Sequence, residues 1–194
     1  MLTRSLRFGT SLARPKPRHP RSAELPLRAE LFGVEQLTRH AEAIAARHQV
    51  VTARRSNRLL ARLDHNEKVL KTFNHATLEV DQSRRVTPAA EWLLDNFYLI
   101  EEQVQMARRH LPQEYSRELP RLTNGPSAGH LRVYDIVLEL ISHVDAEIDA
   151  ASLTAFVAAY QTVSALKLGE LWAIPIMLRL GLIENLQRVT TSLT

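Results

Sequence analysis

The chain has 194 residues, 45% hydrophobic and 24% charged, which provides apolar material for one core of ordinary size and too little for several. Its formal net charge of +4 taken alone favours a nucleic-acid or anionic-membrane partner. Residues 1–30 hold seven of the 25 basic residues and two of the 21 acids, a local charge of +5. Residues 31–194 therefore carry 18 bases against 19 acids, so the excess positive charge lies in the N-terminal segment.

The cysteine content and the longest apolar stretch exclude several kinds of site and a membrane-spanning helix. The chain contains no cysteine, which excludes disulfides, thiolate metal sites and a cysteine nucleophile. Its longest strongly apolar stretch, 171–183, is interrupted by Pro175 and Arg179 and is shorter than the roughly 20 residues that a membrane-spanning helix needs. We therefore expect that the chain does not cross a membrane by itself.

The N-terminal segment differs in composition from the rest. It contains four of the nine prolines and little periodicity, which predicts a disordered basic tail over 1–29 ahead of a helical domain over 30–194. An organellar transit peptide has a similar composition. The tail is also a candidate for binding anionic lipid, and a plain solubilising tail is the alternative. Its basic residues available for such binding are Arg4, Arg7, Arg14, Lys16, Arg18 and Arg21.

Helical periodicity begins at Glu30. Apolar residues recur at three- and four-residue steps over 31–45 and again over 59–73, which predicts two helices with one buried face each. A third helix begins at Thr87-Pro88, where Thr87 is a favourable N-cap and Pro88 suits the first helical position. On a helical wheel its polar residues form one narrow stripe, so we expect this helix near the centre of the fold. The stripe consists of Glu91, Asp95, Tyr98, Glu102 and Gln105.

The rest of the chain also indicates helices. Prolines and glycines over 111–129 predict a long loop with a turn at 125–129. Helices follow over 133–144 and after an N-cap at Asp149 or Ser152, and a last helix over 171–189 should bend near Pro175. The predicted fold is all-α, with about six helices in an irregular bundle and no strand hairpin.

The usual signatures of catalysis are missing from the sequence. No histidine has an acid three residues upstream, which excludes the Glu-x-x-His pattern of di-metal carboxylate bundles. Only His143 has an acid four residues upstream, Glu139, and we interpret the two as a solvated or interhelical pair. Gly-rich phosphate loops and the Gly-x-Ser-x-Gly elbow are absent as well. We therefore predict no catalytic, cofactor-binding or metal-binding residue.

Two polar features are candidates for docking or interaction. Arg179 lies within an apolar helix face, so it either pairs with a carboxylate or extends to solvent at a helix end. The acids available to it are Glu170, Glu139 and those of the polar stripe. The stripe itself is either a carbohydrate- or partner-facing surface or a solvated face. The predicted interaction residues are Arg179, Glu170, Glu91, Asp95, Tyr98 and Glu102.

Several blocks of sequence resemble a known family. They are residues 87–104, 119–122, 132–134 with Glu139 and His143, and 169–186. These blocks are similar to the N-terminal region of bacterial cyclic β-1,2-glucan synthases, and the resemblance covers roughly residues 30–189. It implies a large inner-membrane glycosyltransferase that polymerises glucose from UDP-glucose and closes the chain into a ring. The matched blocks precede the catalytic modules of the family, so the resemblance assigns no catalytic residue here.

The resemblance sets the leading hypothesis. We expect a fragment or truncated chain that acts as a non-catalytic scaffold or regulatory segment, without cofactor, whose partner is the remainder of the synthase. It would lie on the cytoplasmic side of the inner membrane within the parent enzyme, or in the cytoplasm if made alone. The apolar face of its last helix, at Leu178, Leu182, Ile183 and Leu186, would then pack against residues beyond the chain.

Two other classes of function remain open from the sequence. One is a small basic helical adaptor that binds nucleic acid or anionic membrane through its N-terminal arm. The near-neutral body and the lack of a cluster of basic residues on one helix argue against nucleic acid, and none is expected as a partner. The other is a free-standing carbohydrate-active enzyme, which would have to turn over UDP-glucose as the 194-residue chain.

Overall fold

The computed structural model describes residues 25–27, 29–52, 58–79, 87–111, 113–144 and 148–192. The predicted tail lies outside these residues except at 25–27 and 29. The described part is all-α apart from two strands of two residues each, which confirms the predicted fold class. Its elements are α1 (Val34–Arg47), β1 (Val50–Val51), α2 (Leu59–Leu78), α3 (Pro88–Asp95), α4 (Phe97–His110), α5 (Gln113–Glu118), β2 (Arg121–Leu122), α6 (Arg132–His143), α7 (Ala150–Val163) and α8 (Leu168–Ser192).

Helix α6 lies at the centre of the fold. Nine of its twelve residues are buried, and it contributes to two apolar clusters. Tyr134, Val137 and Ile141 face the first cluster, which α6 shares with α2, α4 and α8. Ile136 and Leu140 face the second, which it shares with α1 and α7. Because α6 is buried on both sides, polar groups on it must find partners on other helices.

The predicted third helix is not central, and that expectation was wrong. The stretch divides at Asn96 into α3 and α4, and the Asn96 amide donates to the Trp92 carbonyl at 2.8 Å. Such a side-chain bond competes with helical hydrogen bonding. Trp92 and Leu99 are exposed although both are large and apolar. The predicted start of the third helix at Thr87-Pro88 is confirmed: α3 begins at Pro88, and the Thr87 hydroxyl accepts from the Ala90 amide at 3.3 Å.

The division of the third helix and a short helix, α5, account for the difference between six predicted and eight observed helices in the described residues. Helix α5 lies within the predicted loop over 111–129. The turn at the end of that loop is as predicted, with positive φ at Gly125 and Gly129. Strand β2 precedes this turn and pairs antiparallel with β1, where Val50 lies opposite Leu122. This ladder joins the end of α1 to the approach to α6.

Helix α8 continues through Pro175 and packs on α2, α4 and α6. The expectation that its apolar face packs beyond the chain was largely wrong. Ile183 is buried in the first cluster, and Leu178 and Leu186 pack against that cluster. Only Leu182 of the four remains exposed.

The helices α6 and α8 approach closely at Gly181. A Cβ atom at this position would lie 2.6 Å from Ile141 Cδ1 and 3.3 Å from Leu138 Cδ2. Contacts this short force neighbouring side chains to move, and the moving side chains belong to a well-packed core. Glycine is therefore required by packing here, although it costs helix propensity.

We expect Gly181→Val to destabilise the protein by about 1–3 kcal/mol through overpacking. Urea unfolding followed by circular dichroism measures the change. Ala61→Val, on the exposed side of α2, is the matched control and should cost only a few tenths of a kcal/mol in propensity. Equal losses in the two variants would show that the close approach does not limit side-chain size.

The segment before α1 lies against the ends of α6 and α8. The Leu27 amide donates to Asn185 Oδ1 at 2.7 Å, and Arg188 donates to the Leu25 carbonyl at 3.1 Å. Further along, the Phe32 amide donates to the His143 carbonyl at 3.1 Å. These bonds place residues 29–33 beside the C-terminal end of α6.

Candidate functional site

The predicted polar stripe lies on the surface of α3 and α4. Glu91, Asp95, Tyr98 and Glu102 are all exposed, as the helical wheel predicts. Tyr98 has 65% of its surface exposed, and Trp92, which lies outside the predicted stripe, is 57% exposed. Tryptophan and tyrosine are enriched at the centres of protein interfaces, whereas charged residues such as the three acids belong to a polar rim. We call Glu91, Trp92, Asp95, Tyr98, Leu99 and Glu102 the acidic-aromatic surface.

Arg179 and Glu170 do not pair with each other. Arg179 is half-buried on α8, and its Nε donates to Gln103 Oε1 on α4 at 3.1 Å. Its observed partner is an amide and not one of the carboxylates proposed from the sequence. Glu170 is fully buried and forms an ion pair with Arg132 instead. Glu170 is thus a core residue, whereas Arg179 is an interhelical contact at the edge of the first cluster.

Arg132 and Glu170 form an ion pair in the interior. Their side chains are 4% and 0% exposed, and Arg132 Nε donates to Glu170 Oε1 at 2.8 Å. The same guanidinium donates to Ser164 Oγ at 3.0 Å and to the Ala165 carbonyl at 3.2 Å. Glu170 also accepts from the Lys167 amide at 3.0 Å, which caps the start of α8. The pair therefore fixes the connection from α7 to α8 against α6.

A second polar group joins α1, α6 and α7. His48 follows α1, and its Nε2 lies 3.1 Å from Asp135 Oδ2 while its Nδ1 lies 2.8 Å from the Tyr160 hydroxyl. Because the ionised carboxylate only accepts, Nε2 carries a hydrogen, and in the neutral ring the Tyr160 hydroxyl donates to Nδ1. Burial raises the pKa of Asp135, but hydrogen bonds from His48 and Ser127 lower it by a larger amount. The pKa of Asp135 therefore lies below its ordinary value. Both ring nitrogens are occupied by protein groups, which fits a structural role.

A third polar group surrounds Glu184 on α8. Its buried carboxylate accepts from Arg62 Nη2 at 2.6 Å, from Arg188 and from the Tyr134 hydroxyl. Burial raises the pKa of Glu184, while bonds from Arg62 and Tyr134 lower it to a net value below 4.5. Burial, together with the neighbouring Glu184 charge, holds the pKa of Tyr134 well above its usual range. The group connects α2, α6 and α8 through one carboxylate.

A cluster of two histidines and one glutamate lies between α1 and α6. His40 Nε2 is 2.9 Å from Glu139 Oε2, and His143 Nε2 is 3.9 Å from the same oxygen. One potential ligand atom from each residue lies within 4.8 Å of the other two. Phe32 stacks on the His143 ring with centroids 4.0 Å apart. Of the groups in the described residues, this one has the donor types of a transition-metal site.

Comparison with known proteins gives one informative match, whereas no protein-family model matches the sequence. A stretch of 130 residues, 66% of the chain, is 38% identical to the cyclic beta-(1,2)-glucan synthase NdvB of Rhizobium meliloti (strain 1021). The chain is related to part of a glucan synthase. It spans about 5% of the length of that protein. That protein is of the same class as the synthases that residues 87–104 and 169–186 resemble.

The two longest blocks of that resemblance, residues 87–104 and 169–186, lie in different environments of the fold. Block 87–104 supplies the acidic-aromatic surface, while block 169–186 supplies Glu170 and Glu184 to the interior. Block 169–186 also presents Trp172, which is exposed on α8. No helix of the described part is long and apolar enough to cross a bilayer.

Sequence reasoning missed the buried pairs and the histidine cluster. Arg132 and Glu170 are 38 residues apart, and His40 is 99 residues from Glu139. A search by local spacing finds only Glu139 and His143, which are four residues apart on one helix. One local signal was available: α6 carries Arg132, Asp135 and His143 among apolar residues in a nearly unbroken buried stretch, which demands partners elsewhere.

Proposed function

We propose that this chain is a non-catalytic helical scaffold or regulatory segment of a cyclic β-1,2-glucan synthase. The whole enzyme would polymerise glucose from UDP-glucose into cyclic glucan on the cytoplasmic side of the inner membrane. The observation that carries the proposal is the 38% identity to a cyclic beta-(1,2)-glucan synthase over 130 residues. In such an enzyme this segment binds the remaining domains and positions them, while the chemistry takes place elsewhere.

The use of the ionisable groups supports a scaffold. Side chains from other parts of the chain hydrogen-bond to four buried charged residues, namely Arg132, Glu170, Asp135 and Glu184. Buried and fully partnered charges hold helices in a fixed arrangement, and their removal is costly. A catalytic acid or base needs access to its substrate, which these residues do not have. The polar interior thus favours rigidity over turnover.

The acidic-aromatic surface is the proposed contact with the rest of the synthase. Exposed tryptophan and tyrosine contribute strongly to protein interfaces, because each buries a large area with few rotatable bonds. Glu91, Asp95 and Glu102 add three negative charges, so the partner surface should be basic around an apolar centre. A surface of this kind suits a macromolecular partner better than a small substrate.

We predict that Trp92→Glu combined with Tyr98→Glu impairs glucan synthesis without unfolding the segment. The test uses the Rhizobium meliloti synthase in which the corresponding segment is replaced by that of this chain. Loss of two central aromatic contacts should lower cyclic glucan made per molecule of enzyme about tenfold or more. Both side chains are exposed, so the stability of the isolated chain should change by no more than about 0.5 kcal/mol.

Leu78→Glu serves as the matched control, because Leu78 is exposed at the end of α2, outside the acidic-aromatic surface. It should leave glucan synthesis unchanged. Equal activity of the double variant and the Leu78 variant would reject this surface as the contact. Turnover of UDP-glucose by the purified 194-residue chain would reject the non-catalytic role itself.

A second proposed contact is the anionic face of the membrane, through the basic tail. Near such a surface each lysine or arginine contributes about 1 kcal/mol of attraction. Changing Arg4, Arg7, Arg14 and Lys16 to Gln should therefore weaken binding to phosphatidylserine-containing vesicles about a hundredfold or more. The charge-matched control changes Arg39, Arg47, Lys68 and Arg109, which are exposed on helices. Similar losses in both variants would assign the attraction to net charge rather than to the tail.

A further inference from the structure

The Glu30 carbonyl determines which ring nitrogen of a neutral His143 carries the hydrogen. Its Nδ1 lies 2.7 Å from the Glu30 carbonyl oxygen, which only accepts hydrogen bonds, so Nδ1 carries a hydrogen. In the neutral ring Nε2 then presents a lone pair, which lies 3.9 Å from Glu139 Oε2. Two acceptor atoms face each other over a distance too long for a hydrogen bond. Glu139 Oε2 also accepts a hydrogen bond from His40 Nε2 at 2.9 Å. A cation placed among the three atoms would replace that bond, with the hydrogen of the neutral His40 ring on Nδ1, and would give the His143 lone pair a partner.

We propose that His40, Glu139 and His143 bind one zinc ion. Two imidazole nitrogens and one carboxylate oxygen form a ligand set that zinc accepts with a fourth position open to water. A zinc–ligand distance of about 2.0–2.2 Å with tetrahedral angles places ligand atoms roughly 3.3 Å apart. The observed separations from Glu139 Oε2, 2.9 and 3.9 Å, lie on either side of that value.

The surroundings of the three residues suit a metal ion. The bond from His143 to the Glu30 carbonyl is the kind of outer contact that fixes the tautomer and orientation of a metal-binding histidine. Phe32 stacks on His143 and lies edge-on to His40, which restricts the two rings. His143 is in the last turn of α6, where the helix dipole favours a positive charge. The Glu139 side chain is 37% exposed, which provides a route for the ion.

A zinc ion at this position would join three parts of the chain. His40 belongs to α1 and the other two ligands belong to α6, while residues 30–32 are bonded to His143. Zinc would thereby fasten the segment before α1 to the end of the central helix. This inference concerns residues outside the acidic-aromatic surface and does not depend on the proposed function.

Zinc chloride and cobalt chloride, titrated separately into the purified full chain, test the proposal. We expect one equivalent of zinc to bind with a rise in the unfolding temperature that a chelator reverses. Cobalt should give the visible absorption of a four-coordinate ion. His40→Ala and Glu139→Gln should each weaken binding at least about tenfold. His65→Ala, an exposed histidine on α2, is the control and should leave the affinity unchanged.

Glu139→Gln keeps the size of a partly exposed side chain, so it remains informative if His40→Ala does not fold. Circular dichroism establishes that each variant is folded. Binding that His65→Ala weakens as much as Glu139→Gln does would overturn the proposal, because it would show adventitious surface binding. No stoichiometric zinc binding by the folded chain would overturn it equally, and would leave Glu139 as the hydrogen-bond partner of His40.

Discussion

Replacement of Glu170 by alanine should be among the most damaging single changes in this protein. It leaves the Arg132 guanidinium buried without its carboxylate and removes the acceptor for the Lys167 amide. Breaking a buried ion pair from one side costs about 3–5 kcal/mol, a large part of the roughly 5–15 kcal/mol that stabilises a typical domain. We expect an unfolding temperature about 10 °C lower, measured by circular dichroism.

Two further variants separate burial from charge. Glu35→Ala removes an ion pair of the surface, because Glu35 and Arg39 have side chains 80% and 72% exposed, and should cost less than about 1 kcal/mol. Arg132→Met combined with Glu170→Leu removes both buried charges and should recover part of the lost stability. Recovery is incomplete because the Lys167 amide and the Ala165 carbonyl still lose their partners. Equal effects of Glu35→Ala and Glu170→Ala would contradict the account.

The second large effect is expected at Glu184. Glu184→Ala deprives the buried Tyr134 hydroxyl and two arginines of their shared acceptor. Arg62 and Arg188 have side chains 29% and 14% exposed, so water reaches them and the loss should be smaller than at Glu170. The variant leaves a buried hydroxyl unsatisfied and removes hydrogen bonds to a charged group. Together these losses should lower the free energy of unfolding by about 2–3 kcal/mol, measured in urea.

The same carboxylate predicts a dependence of stability on pH. Its pKa lies below the ordinary value of 4.5 in the folded protein, so its contribution is complete above that value. The contribution is lost as the pH falls from that value through the lower folded pKa, because over this range the unfolded chain binds a proton that the folded protein does not. Glu184→Gln should flatten the acid side of the stability curve relative to the parent. An unchanged slope would show that Glu184 does not carry this dependence.

Local features of the fold were accessible from the sequence. The cap at Thr87 and the glycine turn at 125–129 depend on neighbouring residues, and both are present as predicted. The N-cap at Asp149 also follows from local chemistry, since its side chain accepts from the Ser152 amide at 2.7 Å. Such features involve residues within a few positions of each other, where backbone geometry restricts the possible partners.

The remaining features depend on which helices meet. The narrow polar stripe predicts that the third helix is central, but the helix breaks at Asn96, whose side chain bonds the Trp92 carbonyl, and a wheel for one continuous helix does not represent this break. An arginine in an apolar face predicts a carboxylate partner for Arg179. In the structure Arg179 donates to Gln103, and Glu170 pairs with Arg132. No spacing rule joins residues 38 or 99 positions apart.

We propose that this chain supports a glucan synthase without performing its chemistry. The most direct measurement is the cyclic β-1,2-glucan formed from labelled UDP-glucose in membranes of cells without a synthase of their own. Three proteins are compared there: the isolated chain, the Rhizobium meliloti synthase without the corresponding segment, and that synthase with this chain's segment in its place. We expect glucan only from the third. Glucan formed by the isolated chain, or equally well by the synthase without the segment, would contradict it.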